Sequence, residues 1–192
     1  MKKRKMRKLE RLSGFTLVEL ILVVLIISIA AAIAIPMFAS AADVQVRSAA
    51  NQIAADLDYA RGLAITRQKN YTVVFVPTTS PTGTSYYYLR EAGGDIIDNP
   101  LTNQKYIVLY KPTTVASTIE TYTVYPDSRV SGVRIDSVKD GLVDISAITF
   151  DYLGTPSLLT GPGWITLKSD TFVVYVKIEM MTGSVTITDT KG

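Results

Sequence analysis

The chain has 192 residues, with 20 Lys+Arg against 17 Asp+Glu, no Cys and no His. Without Cys no disulfide staples the fold, and without His the commonest general base and metal ligand is missing. Seven of the basic residues and one acid, Glu10, fall in the first 14 positions, so residues 15–192 carry 13 basic and 16 acidic side chains, a net of −3. That part has no global electrostatic reason to bind nucleic acid.

The chain opens on Lys2, Lys3, Arg4, Lys5, Arg7, Lys8 and Arg11, followed by Ser13-Gly14-Phe15-Thr16-Leu17-Val18-Glu19 and an apolar run to Ile35. As a helix, residues 15–35 would be about 31 Å long at ~1.5 Å per residue. That matches a hydrocarbon core of roughly 30 Å. The basic start predicts that the N-terminus stays cytoplasmic and that the chain beyond residue 35 lies outside the inner membrane. Only Thr16, Glu19 and Ser28 are polar in the run, and Ser28 can bond back to a carbonyl one turn earlier. Glu19 is different, because a carboxylate at that depth is costly without a partner and is a functional candidate by default. Its candidate partners are the upstream basic residues and a free α-amine at Phe15, which would exist only if the chain were cut after Gly14.

Residues Gly14-Phe15-Thr16-Leu17-Val18-Glu19-Leu20 resemble the cleavage and methylation site of type IV prepilins and type II secretion pseudopilins. That family has a basic leader ending in Gly, then Phe, then a Glu four positions on, then an apolar stem. Pro36 falls where the family often carries a helix-kinking proline. The resemblance implies that a prepilin peptidase removes residues 1–14 and that Phe15 is N-methylated. It implies a membrane stem over residues 15–35 that later becomes filament core. Glu19 would meet the Phe15 amine of its own chain or a neighbour and set register, since pairing two charges in an apolar medium recovers much of the cost of burying them. The implied partners are the peptidase, other pilin or pseudopilin subunits and an inner-membrane assembly platform.

A conventional secretory signal cut after Ala39-Ser40-Ala41 is the plainer alternative, but its apolar region would be 7–15 residues long, shorter than this run. An unprocessed single-span anchor is a third reading.

After Pro36 the period stays helical. Val46, Ala50, Ile53, Leu57, Ala60 and Ala64 form one stripe, while Asp43, Arg47, Asp56, Asp58, Arg61 and Arg67 mostly fall off it. This predicts an amphipathic half, residues 36–68, of a long helix bent near Pro36. The alternative is a separate helix after a loop at 36–42. Residues 69–192 read as one β-rich head. Strands are expected at Tyr71–Val76, Tyr86–Leu89, Lys105–Tyr110, Thr121–Tyr125, Val130–Ile135, Ala147–Tyr152, Trp164–Leu167, Phe172–Glu179 and Val185–Thr188. Their spacing predicts two antiparallel sheets packed face to face. The fold class is α+β, a long N-terminal helix on an antiparallel head.

Arg47 to Val76, with Asp56-Leu57-Asp58-Tyr59-Ala60-Arg61, resembles the minor pseudopilin type called GspH and its pilus relative FimT. So does the C-terminal pattern of Ile148-Thr149-Phe150-Asp151, Trp164-Ile165-Thr166-Leu167 and Gly183-Ser184-Val185. This implies a minor subunit near a filament tip or along it. The chain lacks the C-terminal disulfide loop of many major pilins. Asp136, Asp140 and Asp144 do not fit a calcium loop and read as solvated loop or edge residues. Tyr86-Tyr87-Tyr88 should alternate between core and solvent, and Trp164 reads as a core residue. No nucleophile–base pair, phosphate loop or metal spacing is present. No cofactor, metal or catalytic residue is expected. A DNA-binding minor pilin would want an arginine-rich exposed stretch, and the tail Thr186–Gly192 offers only Lys191.

Overall fold

The computed structural model describes residues 16–80, 83–110, 117–119, 122–124, 130, 132–158, 160–169 and 172–190; side chains are not described at 33–41 or at 117–119 and 123–124. One helix, α1 (Leu17–Arg67), precedes eleven strands. The chain divides between Ala39 and Ser40 into two compact units. No loop interrupts α1 at 36–42, so the loop alternative is set aside. The helix closes with Gln68 at φ 54° and Lys69 N–H donating to the Ala64 carbonyl at 3.3 Å. This is a Schellman closure, which favours Gly or Asn at the left-handed position. Gln68 is tolerated there, and its own amide also donates to the Ile65 carbonyl at 2.9 Å.

In the second unit, Ser40–Gly192, the strands form two main sheets and a small hairpin. The first sheet has the order β3-β2-β1-β8, from β1 (Tyr71–Val76), β2 (Ser85–Glu91), β3 (Ile107–Tyr110) and β8 (Ala147–Phe150). The second has the order β11-β10-β9-β6-β7, from β6 (Arg134–Asp140), β7 (Val143–Asp144), β9 (Gly163–Ser169), β10 (Phe172–Ile178) and β11 (Val185–Thr188). β4 (Ser117–Ile119) and β5 (Tyr122–Val124) pair only with each other. All pairings are antiparallel. The predicted α+β architecture is the observed one.

Strand registers explain which face is core. Val73 lies opposite both Leu89 and Ile148, Tyr71 opposite Phe150, and Phe75 opposite Tyr87, and all seven are buried. Val174, Val176 and Ile178 do the same for the second sheet. The helix stripe of Val46, Ala50, Ile53, Leu57, Ala60 and Ala64 is fully buried, and Ala49 joins it. Alanines at four of these seven positions keep the stripe thin where the helix meets the head.

Two expectations need correction, and a third, Trp164 as a buried core residue, holds with a finer placing. The strand expected at Val130–Ile135 lies at Arg134–Asp140. A register shift between Ile135 and Ser137 lets Ile135 and Val138, three apart, both face the core, a β-bulge that simple alternation cannot anticipate. Asp140 is not solvated but buried. Its carboxylate accepts from the Thr160 and Gly161 N–H groups at 3.0 and 3.1 Å, pinning the loop before β9. Trp164 is buried but stands outside the main core cluster. Its cross-strand neighbours are Lys139 and Lys177, it meets Tyr175 edge-on at 6.3 Å, and the Lys177 ammonium lies 5.8 Å from its ring centre. The Lys177 stem thus lies along the indole, with its ammonium over the ring.

Leu57→Ala should cost about 2–5 kcal/mol, the range for truncating a buried Leu where the site cannot collapse. Urea unfolding of the detergent-solubilised full chain measures it, and a loss below ~1 kcal/mol would contradict the stripe as the docking face.

Candidate functional site

The first unit carries the stem. Thr16 stands just before the first helical residue, and its Oγ1 accepts from the Glu19 N–H at 3.2 Å. Its carbonyl accepts from the Leu20 N–H at 3.1 Å. Thr16 is thus the N-cap of the helix, and an acid in the first turn opposes the positive end of the helix dipole. Glu19 thus has a local reason to be an acid, one the sequence reading missed although Thr16-Leu17-Val18-Glu19 spelled it. The Glu19 carboxylate makes no ion pair among the described residues. Gly14, Phe15 and the leader 1–14 lie outside the described residues, as does the side chain of Pro36.

Beyond Glu19 the stem is apolar on every side. Leu17, Val18, Leu20, Ile21 and each large aliphatic residue to Ile29 are exposed, by 43% at the least and 75% at the most. Ser28 satisfies its hydroxyl on the Val24 carbonyl at 2.7 Å, as expected. A helix hydrophobic all round is one that is buried by something else. Among the described residues no helix is long and apolar enough to cross a membrane. The sequence continues the apolar run through Ile33, Ala34 and Ile35, whose side chains are not described.

The second unit holds a polar cluster between α1 and the first sheet. Asp56 lies three residues after Ile53 and four before Ala60, on the margin of the buried stripe. Its carboxylate accepts from the Tyr87 hydroxyl in a short bond and from the Tyr106 hydroxyl at 2.7 Å. Tyr106 stacks on Tyr59 at 5.7 Å, and Tyr87 packs between Phe75 and Tyr110, at 5.7 and 5.9 Å. Burial pushes the Asp56 carboxyl above its ordinary value, and the two hydroxyl donors pull it back only in part. Burial likewise raises Tyr87 well above its ordinary value. It raises Tyr106 too, with the Asp56 carboxylate adding to the effect. The cluster fastens helix to sheet and offers no nucleophile or open cleft. Of the adjacent tyrosines, Tyr86 and Tyr88 turn the other way and stack at 6.5 Å.

The three spaced aspartates do not converge. Asp136 pairs with Lys168 at 2.8 Å and Arg134 at 3.8 Å, Asp140 holds its loop, and Asp144 pairs with Lys139 at 2.9 Å. Among the described residues no group of three potential ligands is placed to hold a metal.

The features that define this protein are a capped apolar helix start and an α+β head docked on the same helix. Residues 11–35 match the prokaryotic N-terminal methylation motif, which makes the chain type IV pilin-like at its N-terminus. Among solved structures, the type IV minor pilin FimU of Pseudomonas aeruginosa is similar at a TM-score of 0.43 and 13% identity, covering 74% of this chain and 87% of that one. No curated protein matches the sequence.

Tyr87→Phe removes a hydrogen bond to a charged, partly buried carboxylate and should destabilise the head by about 1.5–3 kcal/mol, read from the urea midpoint. Because the folded state holds the Asp56 proton more tightly than the unfolded chain, the stability it gives is complete below the ordinary 3.8 and is lost as pH rises through the folded value. The stability of the wild type minus that of Asp56→Asn should therefore fall as pH is raised from 3.8. A flat difference would refute the raised carboxyl.

Proposed function

We propose that the chain is a minor pilin or pseudopilin, a structural filament subunit rather than an enzyme. The observation that carries this reading is the stem. It is exposed and apolar on all sides, begins at a capped helix start, and directly follows the Gly14–Phe15 junction within the matched methylation motif. In this reading a prepilin peptidase cuts after Gly14 and the new Phe15 amine is N-methylated. Residues 15–35 anchor the precursor in the inner membrane, with the N-terminus cytoplasmic and the head on the far side. The same surface is then covered by neighbouring stems when an inner-membrane assembly platform moves the subunit into a filament. Residues 36–68 carry the amphipathic half of the helix, with a kink at Pro36, and residues 69–192 the head. The type II secretion pseudopilus and the type IV pilus are the two machines that fit.

Glu19 has two parts in this scheme. Within its own helix it supports the N-terminal turn. Toward Phe15 it supplies the charge that a liberated amine would seek once water is gone, and breaking such a pair is strongly destabilising because it leaves an uncompensated buried charge. In the head, by contrast, the described ion pairs, such as Lys69–Glu91 and Lys105–Asp98, lie at the surface, and Asp56 is bonded within the fold.

Mass spectrometry of the purified protein should find a first peptide beginning at methylated Phe15; a start at Ala42 would replace this reading with conventional secretion. Glu19→Ala should leave membrane insertion and leader cleavage intact while lowering incorporation into sheared filaments severalfold. Normal incorporation would remove the register role.

A further inference from the structure

One end of the head gathers exposed apolar side chains on its turns. In the second sheet Asp140 pairs with Gly163, Gly163 with Ile178, and Ile178 with Val185. That row brings the β6–β7 turn, the loop before β9 and the β10–β11 turn to one edge. Leu142 is 87% exposed on the first and Met181 76% on the last. The turn after β8 joins them. Asp151 fastens it by accepting from the Leu153 and Thr155 N–H groups at 2.9 and 2.8 Å, and Leu153 on its tip is 67% exposed. Gly183, at φ 65°, fits so closely that an added Cβ would lie 2.9 Å from the Gly154 carbonyl. Between the turns lies an open groove of about 440 Å³, lined by Gly161, Pro162, Met180, Met181 and their neighbours. Val143, Tyr152 and Ile65 continue the exposed surface, with Ile65 reaching it from the last turns of α1 beside Gly154.

Turn tips are ordinarily polar, and a contiguous apolar patch of this kind marks an interaction surface. Its charged rim says what it would meet. Lys139 bonds Asp144 and Lys177 bonds Glu179, at 2.9 and 2.6 Å. In both pairs the acid stands outward: Asp144 is 78% exposed against 28% for Lys139, and Glu179 48% against 31% for Lys177. The two lysines are drawn down beside Trp164. The surface therefore presents apolar knobs and a methionine groove; carboxylates are the outer members of both ion pairs at its sheet side, and the Arg61 guanidinium stands beside Gly154 at its helix side. An anionic bilayer is a poor match, because it attracts basic rather than acidic surfaces.

We propose that this end of the head docks a protein partner whose contact surface is apolar and rimmed by Lys or Arg. The flexible methionine side chains line the groove and fit an inserted apolar side chain, while Asp144 and Glu179 orient the encounter. The proposal does not depend on how the stem is processed.

The test is photo-crosslinking in the native host. A benzophenone amino acid replaces Leu142 or Met181 in the full chain, with the same substitution at Leu101 as a control. Leu101 is 91% exposed on the turn between Asn99 and Asn103, bonded to each other at 2.9 Å, in the β2–β3 connection rather than on the turns that carry the patch. Adducts from Leu142 and Met181 should map by mass spectrometry to a segment in which apolar residues adjoin Lys or Arg. Their yield should fall about tenfold, the equivalent of ~1.4 kcal/mol, in the Asp144→Lys, Glu179→Lys double variant. Equal yield from Leu101, adducts only to lipid, no adduct at all, or a yield unmoved by charge reversal would each overturn the proposal. The N-terminal peptide from the same sample separates the two readings, since a start other than Phe15 sinks the filament assignment without touching this result.

Discussion

Close approach of α1 to the head is the constraint on which the remaining structure depends. Four of the seven fully buried residues on the helix stripe are alanines, Ala49, Ala50, Ala60 and Ala64. A thin stripe lets the helix settle against large rings and aliphatic chains on the sheets, at the packing density that interiors require. Val46, Ile53 and Leu57 then fill the spaces between the alanines. Larger side chains at the small positions would lever the helix outward, and overpacked cores generally pay for that in strain. The same closeness explains why a carboxylate is tolerated at the margin of the stripe. Tyr87 and Tyr106 bring their hydroxyls to Asp56 from the sheet side, and a buried acid so supplied keeps its charge satisfied without a cation.

The helix also has to satisfy two different surroundings with one continuous backbone. From Leu20 to Ile29 the exposed surface is aliphatic but for Ser28, and residues from Val46 onward present one narrow buried row. Helical hydrogen bonds are internal to the segment, so the same backbone serves in either medium. Side chains alone carry the distinction. The Schellman closure at Gln68 then ends the helix and turns the chain directly into β1.

Much of this was legible in the sequence because it rests on periodicity. The stripe from Val46 to Ala64 was readable as steps of three and four, and every residue in it is buried. Tyr71–Val76 and Val185–Thr188 were readable as strands from β-branched and aromatic runs, with the bounds observed. The stem announced itself by length and by Glu19. What escaped was whatever depends on contacts far apart in sequence. Asp56 looked like an outward-facing charge because its acceptor role is set by Tyr87 and Tyr106, some 31 and 50 residues away. Asp140 looked like loop because its partners, Thr160 and Gly161, lie 20 and 21 residues on. The bulge in β6 hid a strand behind broken alternation. The N-cap was missed for another reason: the weight of Glu19 as a membrane charge obscured the bond from its backbone N–H to Thr16.

Trp164 is the chain's single tryptophan, buried outside the main core cluster with Lys139 and Lys177 as its cross-strand neighbours. Indole emission is sensitive to the polarity and charge beside the ring. The protein therefore contains an optical probe whose signal follows the integrity of β6, β9 and β10.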